Sequence, residues 1–407
     1  MPTKIQSNMR VPYGLSVHGQ EEIDAVVEVL KGNTALGDKV KEFENKVAKM
    51  FGKKYGVMVN SGSSANLLAL ELLNLPRGSE VITPVLTFST TVAPIVQKGL
   101  VPVYVDINPQ TYIANLNQVE KAIGKKTKAL MIPSLMGNIP NLKRLQAIAK
   151  KYKLWLIEDS CDTLGGSYNG RPSGTYSDIS TTSFYGSHVI NGAGGGGMIC
   201  VNNPEWVDRL VVLRGWGRQS SLFGEKSNSE LLANRFQGKI DGTPYDNKFI
   251  FSEIGYNFLP LEISAAFALV QLKKYPKFLA LRQKYFAEMY KFIEKKHQKY
   301  FLLPKQTPNT KTAWLAFPLI IKPGAPFTRL DIVTFLENNN VQTRPVFTGS
   351  ILKQPGFKNI RHRNAVNNFP HSEDVMKNAF VVACHHGLSD RQIKYLQECF
   401  NEFLAAF

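Results

Sequence analysis

Short apolar runs alternate with segments of helical spacing through the first half of the chain. The runs are Tyr55 to Asn60, Glu80 to Thr83, Pro102 to Asp106, Ala129 to Pro133, Leu154 to Glu158, Ile179 to Phe184 and Gly197 to Val201. Between them, Ser64 to Leu73, Thr90 to Lys98 and Asn141 to Lys151 place apolar residues on one helical face, the last opening on Asn141 as a cap. Earlier, Glu21 to Lys31 and Asp38 to Phe51 read as two helices around a turn at 32–37. Continuous apolar strands that alternate with helices predict a mostly parallel sheet covered on both faces.

From Arg214 to Ser252 the alternation stops, and a polar segment of this length predicts a structureless stretch that covers the site or a partner subunit. Beyond it the spacing predicts an Ala-rich helix over Leu261 to Leu272 and an amphipathic one over Lys277 to Lys296. A strand over Trp314 to Ile321 follows, with helices over Arg329 to Asn338 and Asp390 to Phe403 and a loop rich in Pro, Asn and His. The expected architecture is α/β: a large α/β/α sandwich domain over 1–258, including the insertion 214–252, and a smaller α+β C-terminal domain over 259–407.

A chain of 407 residues with 43% hydrophobic content can bury a sizeable core. No run approaches the ~20 apolar residues that span a bilayer, and the opening MPTKIQSNMRVPYG lacks a signal peptide's apolar centre. The reading is a soluble, cytoplasmic protein with no membrane partner. The formal charge of +17 raises nucleic acid as a partner, but the lysines are scattered in pairs such as Lys53-Lys54 and Lys150-Lys151, and no nucleic-acid module is recognisable. A solvated surface whose field favours an anionic substrate such as a sugar nucleotide is the expectation. Cys161, Cys200, Cys384 and Cys399 show no zinc-ligand spacing, so no metal is expected.

In such sheets ligands sit beyond the carboxyl ends of the strands, and the distinctive residues fall there. Asn60 to Asn66 puts a small-residue loop ahead of a helix, so Gly62 and Ser63 can offer N–H groups and a hydroxyl to a phosphate; a plain serine cap accounts for the same residues. Asp159 ends an apolar strand, where a carboxylate needs a partner, or caps a helix. Thr181 to Val201 holds a four-glycine run, Gly194 to Gly197, that lets backbone approach a ligand closely or is a mobile loop. Phe88 is an aromatic at core-like spacing on the same rim.

Together, Asn60-Ser-Gly-Ser-Ser-Ala-Asn66, Pro84-Val-Leu-Thr-Phe-Ser-Thr90, Leu154 to Gly166 (LWLIEDSCDTLGG) and Thr181 to Val201 resemble the DegT/DnrJ/EryC1/StrS family of pyridoxal-phosphate sugar aminotransferases and dehydratases, over nearly the whole chain. The resemblance implies a fold-type I homodimer. Gly62, Ser63 and Ser183 would hold the cofactor phosphate together with Asn257 from the neighbouring subunit. Phe88 would stack on the ring, and Asp159 would keep the pyridine nitrogen protonated. Asp162 stands where many family aminotransferases carry glutamine or histidine, near the cofactor's phenolic oxygen.

The position of His188 is normally the family's cofactor-binding lysine. Imidazole has no primary amine and cannot form an imine, and no lysine lies between Lys153 and Lys226. Pyridoxamine or pyridoxal 5'-phosphate is therefore expected to bind without a covalent bond, with His188 as a proton-transfer base. The segments SFYGSH, Arg344-Pro-Val-Phe-Thr-Gly349 and Leu352-Lys-Gln-Pro355 resemble the histidine branch of the family, the 3-dehydratases of nucleotide-linked 4-keto-6-deoxyhexoses that serve deoxysugar and surface-polysaccharide synthesis.

That branch implies a CDP- or GDP-linked substrate, with Arg218 and Arg344 as candidate contacts. Some members bind a [2Fe-2S] cluster and take electrons from a reductase; others hydrolyse the product and use glutamate as amino donor. Here Cys161 remains, but no cysteine lies between Cys200 and Cys384, and the insertion carries Ser220, Ser221, Ser227 and Ser229. Four thiolates are needed, so no cluster is expected and the glutamate route is favoured. Two other readings stay open: a sugar aminotransferase using a distant lysine, and a non-catalytic regulator that binds cofactor or sugar nucleotide.

Overall fold

The computed structural model describes residues 9–224 and 231–407; residues 1–8, Lys226, Ser227 and Ser229 lie outside the described residues. The seven expected strands and an eighth, Arg363–Asn364, form one sheet, ordered Tyr55–Val59, Gly197–Val201, Ile179–Ser183, Trp155–Asp159, Thr127–Pro133, Glu80–Pro84, Val101–Val105 and Arg363–Asn364. Gly197–Val201 is antiparallel to both of its neighbours, and every other pairing is parallel. Its first residue therefore shares a rim with the last residues of the flanking strands: Gly197 pairs with both Val59 and Ser183.

Side chains alternate across this sheet. Val57, Val59, Met131, Ile157 and Ile199 pack with Leu68, Leu210 and Leu213 on one face. Leu130, Ile132 and Leu156 pack with Leu142, Leu145 and Ile148 on the other, where Met58 and Met198 meet Phe43, Val47 and Ala268. The strands read as continuous apolar runs because both faces are covered. Asn141 caps Leu142–Tyr152 by accepting from Arg144 N at 3.0 Å.

Three expectations change. The two helices expected over 261–296 are one, Glu262–Lys296, with Pro276 inside. A proline inside a helix removes a hydrogen bond and costs ~3 kcal/mol, but this helix packs along Gln20–Lys31 and Asp38–Met50 and buries Ala265, Ala268, Phe278, Tyr285 and Met289, which outweighs the break. The segment after Arg214 is not structureless. It holds a 3₁₀ turn Gln219–Phe223, a short helix Leu232–Arg235, a hairpin of Gly238–Ile240 with Thr243–Tyr245, and a second 3₁₀ turn Asn247–Phe249. Gly242, in the left-handed region at φ 83°, closes the hairpin.

The Pro-, Asn- and His-rich stretch also carries order. Arg363–Asn364 extends the large sheet beside Val101–Val105, Pro370–Asn378 is a helix, and Ala379–Val382 is a strand. That strand joins Phe301–Leu302 and Phe317–Ile321 in a small antiparallel sheet. Arg329–Asn338 and Asp390–Leu404 cover it, burying Phe335, Phe400 and Phe403. The N-terminal segment reaches the same core, where Val11 pairs with Val341.

Candidate active site

A cavity of about 470 Å³ opens on the shared rim of the large sheet. Its floor begins at the turn after Tyr55–Val59. Ser61 caps the helix Gly62–Leu72 by accepting from Ser64 N at 3.1 Å, which leaves the first N–H groups of the helix free to face a ligand. A Cβ on Gly62 would lie 2.6 Å from Ser183 Cβ and 2.9 Å from Cys161 Sγ. Only glycine lets the helix end sit this close to Ser183, whose hydroxyl accepts from Tyr185 N at 3.3 Å. Ser63, at the next position, is exposed into the cavity.

The glycine run closes the same corner. Gly196 N donates to Asn60 O at 3.0 Å, and a Cβ on Gly197 would run into the Ser61 carbonyl. The close approach expected of this loop is thus made to the Ser61 turn, while Gly195 and Gly196 line the cavity. Helix amides, two hydroxyls and no intruding Cβ make a cradle that fits a phosphate.

Asp159 is buried at the end of its strand and accepts three hydrogen bonds. Asn66 Nδ2 and Thr91 Oγ1 donate to Oδ2 at 2.9 and 2.8 Å, and Cys161 N donates to Oδ1 at 3.2 Å. These donors are what permit a carboxylate away from water, and they hold it toward the cavity it lines. A ring nitrogen that must keep its proton is the partner this arrangement suits. Phe88, half exposed, immediately precedes Ser89–Gln97 and meets Phe347 edge to face at 5.9 Å on the cavity wall. The residues present therefore fit a pyridoxal-type cofactor: a phosphate cradle, a carboxylate and an aromatic face.

Asp162 Oδ2 accepts from Met136 N at 2.9 Å. Burial and the neighbouring Asp159 push its carboxyl up to about 7, against the pull of the Met136 N–H. Burial and Asp159 likewise drive the Cys161 thiol well above its usual range. Tyr13 reaches in from the N-terminal segment, anchored by its N–H on Gln342 Oε1 at 3.1 Å, and burial raises its phenol.

His188 sits in a tight turn, its N–H on Tyr185 O at 2.9 Å. Its Nδ1 is 3.3 Å from Ser183 O. A carbonyl only accepts, so Nδ1 carries the hydrogen and Nε2 keeps its lone pair. Burial lowers the imidazole to about 4, and Arg282 adds to this against the Ser183 carbonyl, so the ring is neutral at physiological pH. Among the described residues no side chain lining the cavity is a lysine.

The structure thus brings together Gly62, Ser63, Phe88, Asp159, Ser183 and His188. It places three other candidates elsewhere. Asn257 is exposed beside Gly215, outside this chain's own cavity. Arg218 lays its guanidinium over Trp216 at 4.1 Å. Arg344 is exposed and stands over the Tyr13 ring at 5.5 Å, one residue removed from the wall. Sequence reasoning missed Tyr13, Asn66, Thr91, Tyr185, Ser187, Leu315 and Phe347. A signal existed for two of them: Asn66 follows Gly62 by one helical turn and Thr91 follows Phe88 by three residues, so each shares a face with a residue already singled out.

Among the described residues no group of three or more His, Cys, Asp or Glu side chains is placed to hold a metal ion, and no helix is long and apolar enough to cross a membrane.

The chain is 35% identical over 404 residues to the dTDP-4-dehydro-2,6-dideoxy-D-glucose 3-dehydratase of Saccharopolyspora spinosa, covering 97% of this chain and 86% of that protein. It is 32% identical over 395 residues to the GDP-4-keto-6-deoxy-D-mannose 3-dehydratase of Yersinia pseudotuberculosis, covering 95% and 96%. The crystal structure of GDP-4-keto-6-deoxymannose-3-dehydratase with a trapped PLP-glutamate geminal diamine matches with a TM-score of 0.85 at 31% identity, over 96% of this chain and 99% of that one. The fold is that of the pyridoxal-phosphate-dependent aminotransferases. With residues 17–401 matching its description, the chain belongs to the DegT/DnrJ/EryC1/StrS aminotransferase family.

Proposed function

We propose that this protein is a pyridoxamine-phosphate-dependent 3-dehydratase, which removes the carbon-3 hydroxyl from a nucleoside-diphosphate-linked 4-keto-6-deoxyhexose in deoxysugar synthesis and works as a cytoplasmic homodimer. The observation that carries this reading is that, among the described residues, a neutral imidazole and no amine side chain lines the cavity. Holding the cofactor covalently as an imine needs a lysine amine; proton transfer needs only a base with a free lone pair.

When bound, pyridoxamine phosphate supplies a primary amine that condenses with the 4-keto group and a ring that accepts electrons as a proton leaves its methylene. The chain supplies the rest. Gly62, Ser63 and Ser183 hold the phosphate, with Asn257 of a second copy completing the cradle; its exposure away from its own cavity supports that assignment. Asp159, oriented by Asn66 and Thr91, keeps the ring nitrogen protonated. Phe88 covers the ring face. His188 would take the proton at Nε2 and return it to the departing hydroxyl, which would leave as water. Arg344, beside Tyr13 at the rim, is the candidate contact for the nucleotide, and Arg218 is a second.

Glutamate is proposed as the amino donor that restores the cofactor between turnovers. The cysteine-free insertion supports this over reduction by an iron–sulfur protein, as does the trapped glutamate adduct of the dehydratase structure.

The test is incubation of the protein and pyridoxamine phosphate with GDP-, CDP- and dTDP-linked 4-keto-6-deoxyhexoses, with mass spectrometry of the products. Loss of the carbon-3 oxygen with no gain of nitrogen, sustained beyond one turnover only when glutamate is present, is the expected result. An amino sugar as product, or a lysine peptide labelled after borohydride, would overturn it. A requirement for an added reductase would overturn the glutamate route alone.

A further inference from the structure

We propose that Arg282 is a positioning residue for His188: from the long helix it ties the turn that carries the base to the backbone of residues 314–315 on the cavity wall. The inference rests on the reading of His188 as the base.

Arg282 is the largest fully buried side chain and is 0% exposed. Its two terminal nitrogens divide the work. Nη2 donates to the carbonyls of His188 at 3.3 Å and Ser187 at 3.5 Å. Nη1 donates to the carbonyls of Leu315 at 3.0 Å and Trp314 at 3.2 Å. Nε donates to His386 Nδ1 at 3.2 Å. Because a guanidinium only donates, His386 must be neutral with Nδ1 bare; its ring stacks on Phe278 at 3.9 Å, which holds it there.

All five of these acceptors are uncharged. Burying a cation without a counter-charge is costly, and an apolar side chain of similar volume would fill the space with less penalty. What an apolar residue could not do is bridge two separate pairs of carbonyls. The planar fork of arginine does so with one side chain, whereas the single nitrogen of lysine cannot reach both pairs. Ser187 and Leu315 both line the cavity, so the fork ties the turn that carries His188 to a second segment of the cavity wall.

The charge also reaches the base. Around Arg282 stand Tyr13 from the N-terminal segment, Tyr275 from its own helix, and Cys384, His385 and His386 from the C-terminal part. His188 faces Arg282 on one side, Tyr185 on its own turn, and Tyr13, Asp159, Cys161 and Asp162 in the shared cavity. Arg282 is the positive member of this set, and it opposes protonation of His188.

The experiment compares the holoenzyme with its R282K and R282M variants. R282K keeps the charge and loses the fork; R282M loses both. For R282K, with circular dichroism and cofactor affinity near wild type, kcat falls about 10- to 100-fold, the scale of a misplaced catalytic group, while KM for the sugar nucleotide stays within threefold. Histidine-ring NMR, with the His188 signals assigned through H188N, reports the charge: the His188 titration moves up in R282M and stays near wild type in R282K. If R282M does not fold, R282K decides. A folded R282K with kcat within twofold of wild type overturns the proposal, as does an unmoved His188 titration in folded R282M. An active H188N would instead overturn the assignment of the base, so the two failures are distinguishable.

Discussion

The side-chain amide nitrogen of Asn66 lies 2.9 Å from Oδ2 of Asp159, while its oxygen accepts the Thr181 hydroxyl at 2.6 Å. The hydroxyl fixes which end of the amide faces the carboxylate, because the Asn66 oxygen would otherwise be set against another acceptor. Asn66→Ala removes one of two donors on Oδ2 and leaves Thr91 alone. A hydrogen bond to a charged group is worth ~1.5–3 kcal/mol, so cofactor affinity should fall at least about tenfold, read by absorbance titration. Asn66→Asp should be worse than alanine, because it sets a second carboxylate against Asp159. Equal affinities for the two variants would sink this account.

His188→Gln keeps a side chain of similar reach but removes the proposed base. General-base catalysis is worth about 10²–10⁴ in rate, so dehydration should fall by that order with pyridoxamine phosphate still bound. The wild-type rate has a sign in pH as well. In the proposed role His188 works as the free base, and burial lowers its imidazole to about 4, so its acid limb should appear near pH 4, well below an ordinary histidine. An acid limb near 6.5 attributable to His188 would contradict the buried, Arg282-facing geometry.

Much of this arrangement was legible before the structure, and the gaps have physical causes. The large sheet could be read because each strand is apolar on both faces, as Leu156 and Ile157 show by entering opposite cores. His188 could be read because imidazole lacks the amine that imine chemistry requires. The helix Glu262–Lys296 reads as two in the sequence, Leu261 to Leu272 and Lys277 to Lys296, because its continuity through Pro276 comes from packing and not from local backbone preference. Tyr13 was not legible at all: it lies far in sequence from the cavity and reaches it through contacts with Gln342 and Arg344, which leave no periodic trace. Asp162 was visible as an unusual residue, but its burial next to Asp159 belongs to the folded chain.

Gly62→Ala tests the phosphate cradle. The added methyl would meet Ser183 Cβ at 2.6 Å and Cys161 Sγ at 2.9 Å, both on short side chains close to backbone that cannot swing aside. Overpacking of this kind costs ~1–3 kcal/mol, and here it pushes the helix amides away from Ser183. Thermal stability should drop by a few degrees and cofactor affinity by more than Ser63→Ala removes, since Ser63 is exposed and makes no such contact. A Gly62→Ala protein with unchanged cofactor affinity would argue against phosphate binding at this helix end.

The cofactor-free protein should lose stability as the pH falls from about 6.5 toward 4. Burial holds His188 and His385 at about 4 and His386 at about 2, each below the ordinary 6.5. Between those values the unfolded chain binds protons that the native protein refuses, so stability rises with pH across this window. Asp162 works in the opposite sense. Its folded carboxyl, raised to about 7 from 3.8, takes a proton that the unfolded chain does not hold in the same range. Three strongly lowered histidines against one carboxyl leave a net of roughly two protons, a slope approaching ~2.7 kcal/mol per pH unit at its steepest, and His297, also lowered by burial, adds in the same sense. Urea unfolding at a series of pH values from 4.5 to 7 measures it directly. His385→Asn should flatten the slope by roughly one proton and Asp162→Asn should steepen it, so a flat or inverted dependence, or variants that move it in the other direction, would refute the assignment of neutral buried histidines.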